Sequence, residues 1–113
     1  PAYDCVFGDC SSDVCSSELL KFGQYNSLGW VGYWLDGLWF EKRFCVEPAT
    51  EYVDWGANVE VYCNDRFVEL ETQGRFQCVQ PDDFVEHTEV WSLSQSAVQD
   101  ESELLVWLSG RDE

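Results

Sequence analysis

Two aromatic-rich runs, LGWVGYWL and LWFEKRFCV, flank the dipeptide Asp36-Gly37. Aromatic and β-branched residues favour strands, and Asp-Gly suits a two-residue type I′ turn because glycine tolerates the positive φ that this turn requires. Side chains alternate between the two faces of a strand, which separates Trp39, Glu41 and Arg43 from Phe40, Lys42 and Phe44. The sequence therefore predicts a β-hairpin over residues 28–46, which limits the chain to folds that bury a sheet.

Three more strand-like segments follow, at residues 57–63, 66–73 and 84–93. Turn signals separate them, first at Asn64-Asp65 and then in the sequence QPDD at residues 80–83. Alternation turns Val59, Val61 and Cys63 inward, and it puts Glu69, Glu71 and Gln73 together on one face of the next strand. In the last segment it places Val85, His87, Glu89, Trp91 and Leu93 on one side.

The tail of the chain has the pattern of a helix rather than of a strand. Asp100 and Glu103 match a capping box ahead of LLVWLS, and Gly110 stands where a helix would end. These signals predict a helix over residues 101–109. Five strands, joined mostly by short turns, predict a mainly β fold: an antiparallel β-sandwich with a short C-terminal helix.

Charge narrows the classes of partner. The 113 residues suffice for one domain, and 22 acidic residues against 6 basic ones give a net charge of −16. Nucleic acids and anionic membranes require Lys and Arg, so neither is expected as a partner. No apolar run is long enough for a transmembrane helix, and the first residues, PAYDCVF, lack the features of a signal peptide. The compartment stays open, with the cytoplasm favoured.

The six cysteines allow more than one interpretation. An even number suggests disulfides in a small secreted protein, which would make the chain a cysteine-stapled binder. No C-x-x-C pair occurs and His87 stands alone, so neither a metal site nor a cofactor is expected. Cys45, Cys63 and Cys78 each lie among strand-like residues, where a buried free thiol is the ordinary interpretation.

Residues 9–19, DCSSDVCSSEL, resemble the translated read-through of a sequencing-library adapter, DWSSDVCSSDL, at nine of eleven positions. We therefore expect residues 1–19 to be a non-core, artefactual segment and residues 20–113 to form a partial β-sandwich domain. A genuine polar loop is the first alternative, and a Cys10–Cys15 clasp is the second. If the segment is an artefact, Cys10 and Cys15 have no selected role.

The segment VELETQG holds the residues with the clearest chemical potential. Glu69 and Glu71 are two residues apart on one strand, and neighbouring carboxylates can raise the pKa of one member enough to make a general base. Aromatic residues are dense between residues 30 and 55, and flat rings such as that of Trp55 can stack on sugars. Lys42 could bind a sugar hydroxyl or carboxylate. The alternatives are a solvated acidic strand face, core packing of the rings, and an exposed ion pair at Lys42.

Residues 22–108 resemble the C-terminal part of galactose-mutarotase-like (aldose 1-epimerase-like) domains. The resemblance rests on YVDWGANVEVYCNDRFVELETQG, followed by a proline-containing turn and VEHTEVWSL. It implies a large twisted β-sandwich that holds a sugar in a cleft. By the resemblance, Glu71 in the E-T-Q segment would be the catalytic base. From their own chemistry and positions, Glu69, Gln73, Lys42 and Trp55 are expected to bind the sugar.

In that family the base takes the proton of the anomeric hydroxyl while a histidine donates one to the ring oxygen. The family's histidines come from the part that would precede residue 20, so this chain is expected to bind sugar as a fragment and to be inactive alone. The alternative is an acidic β-sandwich module with a structural or interaction role, which binds no sugar. The sheet edges that a partial sandwich leaves uncovered would favour self-association.

Overall fold

The computed structural model describes residues 20–111 and the backbone of residues 5–6. These residues form two antiparallel sheets, one α-helix and a short 3₁₀ helix at Ala49–Glu51. The four-stranded sheet has the order β1 (Cys5–Val6), β3 (Trp30–Leu35), β4 (Leu38–Phe44), β7 (Glu89–Gln95). The three-stranded sheet has the order β2 (Leu20–Gln24), β5 (Val59–Cys63), β6 (Val68–Thr72). Helix α1 spans Glu101–Ser109. The predicted mainly β fold with a short C-terminal helix is confirmed.

The hairpin of β3 and β4 forms as predicted. Asp36 and Gly37 adopt φ values of 49° and 79°, the pair of left-handed conformations that a type I′ turn needs. The turn sets the register, in which Leu35 faces Leu38 and the pairing runs back to Trp30 opposite Arg43. Glycine carries the larger φ at no steric cost, and aspartate tolerates the smaller one.

The two sheets pack face to face through aliphatic and aromatic side chains. Val31 and Phe44 of the four-stranded sheet meet Val59, Val61 and Leu70 of the three-stranded sheet. Val31, Val59 and Val61 are fully buried. Burial of a valine or leucine side chain contributes about 1.5–3 kcal/mol, so this cluster supplies much of the energy that holds the sheets together.

The opposite face of the four-stranded sheet is covered by α1. Three tryptophans of the hairpin form one buried cluster with Val98 and two helix leucines; the tryptophans are Trp30, Trp34 and Trp39, and the leucines are Leu104 and Leu108. The predicted cap at Asp100 is present, because its side chain accepts a hydrogen bond of 2.9 Å from the Glu103 amide. The Glu103 carboxylate accepts at 3.1 Å from the Gln99 amide, one residue before the position that a capping box requires. Packing and capping together explain why the tail is helical.

Two buried asparagines join the loop before β3 to the start of β5. The Asn26 amide donates to Asn58 Oδ1 at 2.6 Å, and Asn58 Nδ2 donates to the Asn26 carbonyl at 2.8 Å. Asn26 Nδ2 also donates to the Trp30 carbonyl at 2.9 Å. The chain passes from one sheet to the other at this loop, so the amide pair fixes the connection between the sheets.

Two strand predictions need correction. The last strand begins at Glu89 rather than near residue 84, because its partner β4 ends at Phe44, which pairs with Glu89. Residues 84–88 therefore have no β4 residue left to pair with. Strand β2 was not predicted; its sequence, LKFGQ, has little strand preference of its own, and it forms by pairing with β5 from Leu20 opposite Cys63 to Gln24 opposite Val59.

The prediction that three cysteines are buried free thiols is wrong. Cys45 and Cys78 are free but exposed, because each lies beyond the end of a strand rather than inside the core. Cys63 is fully buried in β5, but it is disulfide-bonded.

The prediction for residues 1–19 lies outside the described residues, except for β1, which pairs with β3 through Cys5 opposite Trp34 and Val6 opposite Tyr33. Among the described residues, no helix is long and apolar enough to cross a membrane.

The ring of Trp39 occupies the space next to Gly32, and a Cβ at position 32 would overlap it. We expect Gly32→Ala to lower the free energy of unfolding by about 1–3 kcal/mol, because Trp39 is 4% exposed and cannot move aside without disturbing the helix-covered cluster. Urea denaturation followed by circular dichroism measures the change. Gly110→Ala is the matched control, since the nearest atom to its Cβ would lie 3.8 Å away. Equal stability of the two variants would contradict the packing described here.

Candidate functional site

The face of the three-stranded sheet that points away from the four-stranded sheet, here called the outer face, concentrates carboxylates. Strand alternation places Glu60 and Tyr62 of β5 on this face, while Val59, Val61 and Cys63 point into the core. Across the sheet, Gly23 and Glu71 flank Glu60, and Lys21 and Glu69 flank Tyr62. The outer face therefore presents three glutamates on two adjacent strands.

Glu60 lies at the centre of this arrangement and is 8% exposed. Gln73 Nε2 donates a hydrogen bond to Glu60 Oε2, and Lys21 Nζ lies 3.6 Å from Glu60 Oε1. Gly23 permits this burial, because a Cβ there would come within 3.3 Å of the Glu60 side chain. Glu60 thus has around it the Gln73 amide, the Lys21 ammonium group and the carboxyl groups of Asp54 and Glu71.

Those neighbouring carboxyl groups change the acidity of Glu60. A hydrogen bond with Asp54 is the main cause that raises the pKa of Glu60 above its ordinary value, and burial adds to it. The negative charges of Asp54 and Glu71 raise this pKa further, while the Lys21 charge acts in the opposite direction. The surroundings of Glu60 therefore favour its protonated form.

Asp54 belongs to a tight turn that displays a tryptophan. The Ala57 amide donates to the Asp54 carbonyl at 2.9 Å, and the two central residues, Trp55 and Gly56, have φ values of 56° and 80°. A bulky residue at positive φ is uncommon and strained, by about 1–3 kcal/mol. Trp55 is nevertheless 100% exposed, so no packing within the described residues compensates for this conformation.

The structure brings two of the five residues singled out from the sequence, Glu71 and Gln73, next to Glu60, and it puts Trp55 in the turn that holds Asp54. Glu71 lies opposite Glu60, and Gln73 donates a hydrogen bond to Glu60. Trp55 directly follows Asp54, the residue that raises the pKa of Glu60. Glu69 lies on the same face, opposite Tyr62.

Lys42 belongs to a separate group on the inner side of β6. Its Nζ donates to the Leu70 carbonyl at 2.6 Å, lies 3.6 Å from Glu89 Oε2, and stands 5.0 Å from the Trp91 ring centre. The structure thus separates Lys42 from the outer face, because alternation points it between the two sheets, together with Phe40 and Phe44.

Glu89 is the carboxylate of this inner group. Burial alone would raise the pKa of Glu89, but hydrogen bonds from Thr72 and Trp91, with the charges of Lys42 and His87, outweigh burial and lower it. His87 Nε2 lies 2.7 Å from Thr72 Oγ1. Because Thr72 and Glu71 are adjacent in β6, their side chains lie on opposite faces, and the imidazole is on the side away from Glu71.

A polar cleft of about 190 Å³ lies beside this group. Its lining includes Cys45, Arg75, Glu86 and His87. Among residues 20–111, no group of three or more His, Cys, Asp or Glu side chains is placed to hold a metal ion.

Sequence reasoning did not single out Asp54 and Glu60 as site residues. Alternation already placed Glu60 outward, and both residues belong to the segment DWGANVEVY, whose D-x-G-x-N-x-E pattern carries the family resemblance. The hydrogen bond that joins them crosses from a turn to a strand, so only the folded chain shows it. The D-x-G-x-N-x-E pattern could still have pointed to this segment, because a third residue of the pattern, Asn58, also has a structural role in the amide pair with Asn26.

Comparisons of the chain with protein-family models, with curated proteins and with solved structures find no match.

The raised pKa of Glu60 predicts a pH effect on stability. Between the ordinary carboxyl pKa and the raised folded value, the folded state binds more protons than the unfolded chain, so stability decreases as the pH rises. Glutamine mimics the protonated form, because it can accept from Gln73 and donate to Asp54. We therefore expect Glu60→Gln to be more stable than wild type at pH 7, with a difference that shrinks at about pH 4, near the ordinary carboxyl pKa.

Urea denaturation at the two pH values measures this difference. Glu69→Gln removes the same charge from an exposed position opposite Tyr62 and controls for the general relief of negative charge. If both variants change stability equally at every pH, Glu60 has no special role.

Proposed function

We propose that the outer face binds a carbohydrate and that the Trp55 ring is the surface on which the sugar stacks. The observation that carries the proposal is the complete exposure of Trp55 at a strained backbone position, directly after a residue bonded to Glu60. Residues with strained backbone conformations are concentrated at functional sites. Covering an exposed aromatic ring with the C–H face of a sugar lowers the free energy of the complex.

The polar groups of the outer face suit sugar hydroxyls. Carboxylates accept hydrogen bonds, and the amide of Gln73 both donates and accepts them. Glu71 is exposed opposite Glu60, so its oxygens are accessible to a ligand, while Glu60 and Gln73 hold one another in place. The resemblance to galactose-mutarotase-like domains, in which the E-T-Q segment meets the sugar, agrees with this assignment and is part of the proposal.

The proposed role is binding without anomer interconversion. Glu71 is the base that the resemblance implies, but the reaction also needs an acid at the ring oxygen. His87 is the sole histidine in the sequence, and it lies on the other side of β6. Glu71 therefore acts in this chain as a hydrogen-bond acceptor for the sugar.

Saturation-transfer NMR with galactose, glucose and mannose tests the proposal. We expect Trp55→Ala to weaken the binding of whichever sugar responds about tenfold, equivalent to about 1.4 kcal/mol, because it removes the stacking ring. Trp55→Phe should retain most of the affinity. Polarimetry on freshly dissolved α-galactose should show no acceleration by the chain.

Val106→Ala is the control, since it removes an exposed apolar side chain from α1, on the far side of the four-stranded sheet. No saturable signal with any sugar, or an unchanged affinity in Trp55→Ala, contradicts carbohydrate binding at this face.

The second candidate function is an interaction module that binds no sugar, and β7 favours it. Within the described residues, β7 pairs with β4 alone, and Val90, Trp91 and Leu93 are each more than 60% exposed. Its sequence, EVWSLSQ, contains one charge and neither lysine nor proline. Natural proteins protect edge strands with such residues, so this edge is open to another strand.

A second copy of the same strand fits this edge. Antiparallel pairing centred on Ser92 would set Trp91 of each copy opposite Leu93 of the other, on one face of the joined sheet. The single charge, Glu89, would face the neutral Gln95, so no like charges would meet. The pairing is self-complementary, as a two-fold symmetric dimer requires.

Light scattering coupled to size-exclusion chromatography tests this second candidate. We expect a dimer that becomes more stable as salt rises, because salt screens the repulsion between two chains of charge −16. Leu93→Lys should shift the equilibrium to monomer by placing a charge on the edge. Val106→Lys adds the same charge on α1 and should leave the dimer intact. A monomer at all salt concentrations, or equal effects of the two variants, rules out pairing through β7.

A further inference from the structure

Three tryptophan rings from three different elements surround the guanidinium of Arg111. Its central carbon lies 4.1 Å from the ring centre of Trp30 in β3, 5.1 Å from that of Trp107 in α1, and 6.0 Å from that of Trp39 in β4. Each distance is within the range of a cation–π interaction. We call this arrangement, with Glu41, the tryptophan cage.

Glu41 of β4 provides the carboxylate of the cage and is 5% exposed. Its Oε1 lies 2.8 Å from Arg111 Nη1 and accepts a hydrogen bond of 2.9 Å from Trp39 Nε1. Burial alone would raise the pKa of Glu41, but the hydrogen bonds from Arg111 and Trp39, with the charges of Arg111 and Arg43, lower it. A buried carboxylate is costly to leave unpaired. Arg43 Nη2 lies 2.8 Å from Glu41 Oε2, and Arg111 is the cation that meets Oε1 among the rings.

The occupant of the cage comes from the segment just beyond α1. Arg111 follows α1 by two residues, and its amide donates to the Leu108 carbonyl at 3.2 Å. Trp107 is 41% exposed, so one wall of the cage borders solvent. A guanidinium from solution could therefore reach the same position once the Arg111 side chain leaves it.

We propose that the tryptophan cage is a binding site for arginine side chains, and that Arg111 occupies it as a ligand tethered within the chain. The planar guanidinium stacks on the rings while its N–H groups reach the carboxylate, a combination that the compact lysine ammonium cannot reproduce. The external ligand is an arginine-bearing peptide, and the charge of −16 attracts it. A short tether gives Arg111 an effective concentration on the order of millimolar, so an external arginine binds weakly while Arg111 is present.

The test uses Arg111→Ala with two probes, methylguanidinium and acetyl-arginine amide, at constant ionic strength. Titration is followed by intrinsic tryptophan fluorescence, since the rings that contact the ligand report its arrival. We expect saturable binding to the variant. The affinity of the wild type should be lower by about tenfold or more, because Arg111 competes for the same position. Methylammonium, which cannot stack, should bind the variant about tenfold more weakly than methylguanidinium.

Two further variants locate the binding. Arg66→Ala removes an exposed arginine between β5 and β6 and leaves Arg111 in the cage, so it should behave as wild type. Trp107→Ala in the Arg111→Ala background removes one wall and should abolish binding. If Arg111→Ala loses its fold, recovery of the near-ultraviolet circular dichroism by methylguanidinium and not by methylammonium supports the proposal. Absence of saturation and of recovery, or equal affinity for the two cations, overturns it.

Discussion

Burial of strand β3 on both of its faces is the constraint on which the other elements depend. Val31 is fully buried between the two sheets, while Trp30 and Trp34, on the opposite face, are 4% and 5% exposed beneath α1. A strand that is apolar on both sides needs a covering layer on each side. The three-stranded sheet provides one layer and α1 the other, so the hairpin sets the order of the layers.

Scarcity of positive charge gives most basic residues a structural role. Five of the six pair with glutamates: Lys21, Lys42, Arg43, Arg75 and Arg111. Lys42 and Arg111 also lie against tryptophan rings. Lys42 pairs with the half-buried carboxylate of Glu89, and Arg111 pairs with the buried carboxylate of Glu41. The excess acid therefore remains on the surfaces, where it repels other anions and favours neutral or cationic ligands.

Three glutamates have pKa values that their surroundings shift in opposite directions. Glu41 and Glu89 receive hydrogen bonds and face cations, and both pKa values are lowered. Glu60 shares its surroundings with Asp54 and Glu71, and its pKa is raised. Stability from the first two is lost as the pH falls below the ordinary carboxyl range, while that from Glu60 is lost as the pH rises above it. Their partners thus favour the ionised form of Glu41 and Glu89, while the surroundings of Glu60 on the outer face favour its protonated form.

Local patterns in the sequence determined the hairpin at Asp36-Gly37, the inward valines of β5, the outward glutamates of β6, and helix α1 with its Asp100 cap. Each depends on alternation or on the chemistry of a turn or cap, which act over a few residues. Tertiary structure alone decided the pairing of β2, the start of β7 at Glu89, the contact of Asp54 with Glu60, and the enclosure of Arg111 by three tryptophans. These features join residues that are distant along the chain. The sequence of one segment does not specify which distant segment it will contact.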